Sequence, residues 1–230
     1  MHETASLGSP ELAGPLVLAS ASPRREAILR GAGFRFAVAP AADAEAPGVA
    51  DGVGPQAVAQ ALAVRKAATA ARDHPGAFVL GADTVVALDG ALLGKPADAS
   101  EAREMLRRLR GRTHVVVTGV AVAWPGGVVS GAKTTLVRFR GYSDGEIEAY
   151  IRTGSSMDKA GAYGIQDRGF APAASVTGCY LNVVGLPLCL AVDLLVEAGA
   201  LLPVAGGRPR CYGRPAGAAR PGTSRPPARG

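Results

Sequence analysis

The chain has 230 residues, 48% of them apolar and 19% charged, which is enough apolar content for a sizeable core and too much for a disordered chain. The formal charge of +6 is misleading: the stretch from Gly206 to Gly230 holds six arginines and no acid, and without them 19 basic residues balance 19 acidic ones. A neutral body excludes an obvious nucleic-acid groove, no apolar run reaches the roughly 18 residues that span a bilayer, and three cysteines without CxxC spacing fit neither a disulfide framework nor a zinc knuckle.

In chain order, residues 1–14 read as a loose segment with no basic n-region of an export signal. A soluble protein in a reducing cytoplasm is therefore expected. Pro15 to Ser20 reads as a short buried strand. Ser22-Pro23 supplies an N-cap and a proline at the first helical position, and Gly31 and Gly33 stop that helix. An Ala-rich helix runs from Pro55 to about Arg72, and Ala77 to Leu88 is a nearly continuous apolar strand. Asp89-Gly90 signals a type I′ turn into Ala91 to Leu93. Asp98 and Glu101 form a capping pair ahead of a helix that buries Ala102, Met105, Leu106 and Leu109. Val115 to Trp124 and Val128 to Phe139 flank Pro125-Gly126-Gly127 and read as a long hairpin. Ser143 and Glu146 cap a further helix that buries Ile147, Tyr150 and Ile151. Ala174 to Thr177 reads as a strand, and Pro187 opens a last helix that stops at Gly199. Helices alternating with hairpins and single strands give an α/β domain over residues 15–202 with a mixed sheet. Residues 203–230, rich in Arg, Pro and Gly, cannot bury enough apolar surface to offset ordering and read as a disordered tail.

Four clusters break the rules of a plain core. Arg24 and Arg25 occupy a first helical turn, where the helix dipole and free N–H groups favour acids. They suit a bound phosphate, with Ser22 as a further donor, or else simply point into solvent. Asp83 lies in an apolar strand, where a carboxylate needs a partner. It could ligate Mg²⁺, act as a general base, or hydrogen-bond to backbone. Lys95, in Gly94-Lys95-Pro96, could touch phosphate or be only solvated. The stretch Met157 to Gln166 is too glycine-rich for a stable helix and too apolar for a free loop, so its polar residues are expected to face a pocket. The histidines His2, His74 and His114 have no ligand spacing, and Cys179 and Cys189 read as inert buried thiols. What remains is carboxylate, lysine, arginine and hydroxyl, an inventory that handles a polyphosphate with a divalent cation.

The string Leu18 to Leu29, LASASPRREAIL, resembles the opening motif of the Maf family of nucleoside triphosphate pyrophosphatases, also called septum-formation inhibitor proteins. GADTVV (Gly81 to Val86), GKP (Gly94 to Pro96), Thr118-Gly119, DKAGAYGIQ (Asp158 to Gln166) and NVVGLP (Asn182 to Pro187) follow in the family's order. The resemblance implies a mixed α/β fold of the Maf/inosine-triphosphatase-like type with a nucleotide cleft between two lobes. It implies hydrolysis between the α- and β-phosphates with a divalent metal cation, Mg or Mn. Residue by residue, it implies Asp83 as proton acceptor and metal ligand, and Glu45 as a second acid for the metal. Ser22, Arg25, Lys66, Lys95 and Lys159 would bind phosphate. Arg24, Thr84 and Gln166 match the positions that separate subfamilies, and here they are similar to the dTTP/UTP-preferring branch. The implied partner is the nucleoside triphosphate, with no membrane, no expected nucleic acid, and room for a homodimer. Departures are Ser155-Ser156 and Cys179, where the family often has acids, and a thinned acidic cluster at Asp43 and Glu45. The alternatives are a 7-methyl-GTP pyrophosphatase and a nucleotide-binding cell-division regulator with little catalysis.

Overall fold

A computed structural model of the chain describes residues 10–41 and 53–201. Glu45, residues 1–9 and the Arg-rich segment from 202 onward, with the expectations attached to them, lie outside the described residues. Strands β1 (Leu16–Leu18), β2 (Ala37–Val38), β3 (Phe78–Leu88), β4 (Ala91–Leu93), β5 (Thr113–Trp124), β6 (Gly127–Phe139) and β7 (Ala173–Thr177) form one sheet in the order β2-β1-β3-β5-β6-β7, with β4 also pairing β3. The two β1 pairings are parallel and the rest antiparallel. The helices are α1 (Pro23–Gly31), α2 (Pro55–Ala71), α3 (Ala99–Leu109), α4 (Asp144–Arg152), α5 (Tyr180–Val184) and α6 (Leu188–Glu197). The expected mixed α/β architecture is present.

Local chemistry explains the boundaries. The β3–β4 hairpin turns through Asp89 (φ 52°) and Gly90 (φ 82°), the two positive φ values that a type I′ turn needs. Asp98 accepts from the Glu101 N–H at 2.8 Å to start α3, and Ser143 and Glu146 make a reciprocal capping box on α4. The periodicity did not reveal β2, with two residues, or α5, with five. At the other end of the domain Leu12 bridges to Leu201, and the Ala13 N–H donates to the Ala200 carbonyl at 3.0 Å. A boundary at residue 14 therefore cuts through a paired segment.

One face of the sheet is covered by α2. Its buried stripe of Ala59, Ala63, Ala67 and Ala70 lies directly on β3 and β5. A Cβ at Gly81 would sit 2.5 Å from the Ala63 carbonyl oxygen, and one at Gly119 would sit 2.1 Å from that of Ala59. No side chain fits at either position. The other face carries two separate apolar clusters at opposite ends of the same long strands. Leu18, Leu29, Leu80, Ala82, Val120, Val122, Leu186 and Leu195 form the first, with α1 and α6. Val86, Leu88, Leu106, Val116, Val137, Phe139 and Ile147 form the second, with α3 and α4. A fully buried Leu or Phe contributes roughly 1.5–3 kcal/mol, whereas an exposed ion pair contributes about 0–1 kcal/mol. The clusters therefore hold the two lobes, not the surface pairs such as Arg112–Asp89. Among the described residues no helix is long and apolar enough to cross a membrane. Cys179 is a buried thiol whose pKa burial raises. Cys189, read from the sequence as buried, is only partly so.

Candidate active site

The site begins with a gap in a ladder. β1 pairs with β3 only as far as Leu80, and β4 pairs with it only from Val86 onward. Between them β3 keeps its partner β5 on one side, while its other edge is covered by neither strand. Asp83 and Thr84 fall in this gap. Strand alternation sends them to opposite faces: Asp83 toward α2, and Thr84 into the seam between the two apolar clusters. A cleft of about 1230 Å³ wraps this edge. Ser22, Arg24, Arg25, Lys66, Asp83, Thr84, Lys95, Lys159 and Gln166 all line it. Every candidate residue within the described chain is thus brought to one place.

The close seating of α2 determines where Lys66 points. Its Nζ forms an ion pair with an Asp83 carboxylate oxygen, both side chains being mostly buried. The buried carboxylate in an apolar strand therefore has its partner, on a helix 17 residues earlier in the chain. Ser22 occupies the N-cap of α1 with Pro23 at N1, yet its side chain caps no backbone N–H. Arg25 turns inward from the same first turn. Its Nε donates to the Gly185 carbonyl at 2.8 Å, Nη1 to Ser20 Oγ at 3.0 Å, and Nη2 to Thr84 Oγ1 at 3.2 Å. Burial lowers its pKa and the charge of Asp83 raises it, with burial the larger effect.

The opposite wall is the DKAG segment. Gly161 (φ 72°) donates its N–H to the Gly94 carbonyl at 3.0 Å, tying this wall to the GKP turn. Lys159 contacts the Asp158 carboxylate at 2.6 Å and lies 4.0 Å from Asp167, while Arg24 reaches Asp158 from across the cleft at 3.4 Å. The Lys159 and Arg24 cations and nearby burial act against one another on Asp158, burial being the largest single effect, and the net result is a lowered pKa. Asp167 accepts from the buried Tyr150 hydroxyl, which in turn accepts from the Gly164 N–H at 3.1 Å. Among the described residues no hydrogen bond or ion pair holds the Ser22 hydroxyl, Lys95 or Gln166, so these groups remain open to a ligand.

Sequence reasoning missed the supporting groups. Asp167 and Tyr150 back the lysine wall, and Thr118 and Asn182 stand behind Thr84. The Thr84 and Thr118 hydroxyl oxygens lie 2.9 Å apart. Thr118 and Asn182 fell within motifs the sequence displayed, but nothing local gave either a role behind Thr84. His114, read as structural, is buried and contacts the Tyr163 hydroxyl through Nε2 at 2.7 Å, with Phe139 edge-on at 4.7 Å.

Five cations (Arg24, Arg25, Lys66, Lys95, Lys159) face three acids (Asp83, Asp158, Asp167) in the cleft. The excess suits a polyanion. Among the described residues no group of three or more His, Cys, Asp and Glu side chains is placed to hold a metal by itself. A hard cation that shares one or two carboxylates with substrate phosphates needs no such cage.

Residues 15–198 match the family model described as Maf-like protein. The chain belongs to the Maf family. A protein from Symbiobacterium thermophilum named dTTP/UTP pyrophosphatase is 49% identical over 185 residues, covering 80% of this chain and 94% of its own. One of the same name from Myxococcus xanthus is 50% identical over 188 residues, covering 82% and 94%. Among solved structures, a nucleoside-triphosphatase / dITP/XTP pyrophosphatase from Mycobacterium abscessus aligns at 18% identity and a TM-score of 0.36, over 54% of this chain and 74% of that one. In this Maf chain the six sequence motifs are spread over 170 residues, and folding gathers them around a single strand edge.

Proposed function

We propose that this Maf-family chain is a nucleoside triphosphate pyrophosphatase that hydrolyses dTTP and UTP to the nucleoside monophosphate and pyrophosphate. The observation that carries the reading is one cleft lined by five cations together with the strand-borne carboxylate of Asp83, which Lys66 pairs. The names of relatives about half identical to it support the choice of nucleotide.

In this reading Arg25, Lys95, Lys159 and the open Ser22 hydroxyl bind the triphosphate oxygens. Asp83, held in place by Lys66, takes a proton from a water molecule. The water oxygen bonds to the α-phosphorus, the bond from that phosphorus to the bridging oxygen breaks, and pyrophosphate leaves with the electron pair. Asp83 would be one carboxylate for a hard divalent cation such as Mg²⁺ or Mn²⁺, and Glu45 is proposed as the second on the family resemblance alone. Such an ion would neutralise charge on the phosphates. Arg24, Thr84 and Gln166 read the base, the Gln166 amide offering a donor and an acceptor together. The reaction belongs with the cytoplasmic nucleotide pool.

The test is pyrophosphate release with Mg²⁺ or Mn²⁺ across dTTP, UTP, CTP, ATP, GTP and 7-methyl-GTP. Higher kcat/KM for dTTP and UTP is expected. A preference for 7-methyl-GTP would overturn the base assignment, and absence of hydrolysis on every nucleotide would overturn the reaction.

A further inference from the structure

Behind Thr84 lies a chain of hydrogen bonds whose direction is fixed. Arg25 Nη2 can only donate, and it donates to Thr84 Oγ1. At the far end the Asn182 main-chain carbonyl can only accept, and it takes the Thr118 hydroxyl hydrogen at 2.8 Å. Thr118 has a single hydroxyl hydrogen. The 2.9 Å contact between Thr84 Oγ1 and Thr118 Oγ1 must therefore be filled by the hydrogen of Thr84. The opposite direction would leave two acceptor oxygens facing each other at 2.8 Å with no hydrogen between them, in a site without water access. Thr118 and Asn182 are fully buried, and an unmade hydrogen bond there costs about 1–3 kcal/mol. Asn182 is anchored in turn: its Oδ1 accepts the Thr118 N–H at 3.0 Å, and its Nδ2 donates to the Val116 carbonyl at 3.0 Å and to Thr135 Oγ1 at 2.9 Å.

The Thr84 hydroxyl has thus given its only hydrogen to Thr118 and one lone pair to Arg25. It lines the cleft with one lone pair left. Toward a ligand it can accept and cannot donate. Among pyrimidine bases, thymine and uracil carry a hydrogen on ring nitrogen N3, whereas cytosine has a lone pair there.

Building on the pyrimidine-nucleotide reading above, we infer that Thr118 and Asn182 are positioning residues for specificity: they hold the Thr84 hydroxyl as an obligate acceptor, which admits the N3–H of uracil or thymine and rejects cytosine.

The experiment measures dissociation constants of α,β-methylene-UTP and α,β-methylene-CTP by calorimetry, so that binding is read apart from turnover. Wild type is expected to prefer the UTP analogue by at least about tenfold, the value of one such hydrogen bond. Thr118→Val frees the Thr84 hydrogen to turn toward the ligand and is expected to bring the ratio close to one, chiefly by tightening the CTP analogue. Thr118→Ser, which keeps the hydroxyl, is expected to restore it. In a Thr84→Val background Thr118→Val is expected to change the ratio no further, because it acts only through Thr84. Thr118→Cys, a near-isostere with a weak donor, serves should the valine variant not fold. Equal weakening of both analogues by the Thr118 variants, a ratio that survives them, or a wild type without preference would each overturn the inference. Pyrophosphate release from UTP by the same wild-type sample is scored separately. Its absence would sink the pyrophosphatase reading while the binding ratios still judge this one.

Discussion

At the residue scale, Asp83 was legible because a carboxylate in an apolar strand needs a reason, and its Lys66 partner supplies one that is compatible with catalysis. Asp83→Asn is expected to lower kcat by about 10²–10⁴ with the fold retained, checked by pyrophosphate release alongside circular dichroism. Turnover near wild type would remove Asp83 from the mechanism. Thr118 and Asn182 were not legible as a pair because 64 residues separate them, and no local pattern says that a threonine in one strand meets an amide in a later helix. His114 gives a prediction about stability. Burial lowers its pKa from 6.5 to about 4, so the folded state keeps it neutral while the unfolded chain takes up a proton below pH 6.5. The unfolded state then binds more protons, and stability falls as pH drops from about 6.5 to 4, by roughly 3 kcal/mol from this residue. His114→Gln is expected to flatten that part of the stability profile, measured by urea unfolding at several pH values. An unchanged slope would mean that other groups set it.

At the element scale, caps and turns were readable because they act over three or four residues. Asp98, Ser143 and Asp89-Gly90 all mark boundaries where the structure has them. What composition could not reveal is how closely α2 approaches the sheet. Its alanines suggested a good helix former, but the missing Cβ atoms of Gly81 and Gly119 are what let it lie on the strands. Gly119→Ala forces a methyl group against the Ala59 backbone. Overpacking typically costs about 1–3 kcal/mol, and contact with backbone puts this case at the upper end, or roughly 6–12 °C of Tm for a domain of this size. Raising α2 also moves Lys66 relative to Asp83. The variant is therefore expected to lose activity at temperatures where it is still folded, which parallel melting and activity curves would reveal. Activity that follows the folded fraction alone would detach the helix seating from the chemistry.

For the whole molecule, the two-lobed reading came from the family resemblance, and the physical basis of the lobes is the pair of apolar clusters on one sheet face. They are not independent folding units, because β3, β5 and β6 run through both. Unfolding is expected to be a single transition, with equal calorimetric and van't Hoff enthalpies and coincident signals from Trp124 in one lobe and the tyrosines of the other. Two separable transitions would show that the clusters melt apart. The shared strands also govern motion. Among the described residues β3, β5 and β6 pass unbroken beneath both walls of the cleft, so those walls have no hinge in these strands and cannot swing like two halves of a jaw, and their adjustment is confined to loops and side chains. Between these two walls the nucleotide itself, as it fills the space, is then what displaces water. In amide hydrogen exchange the residues around Asp83 and Gly119 would form the slowest-exchanging band of the molecule, with nucleotide slowing exchange mainly in the DKAG wall.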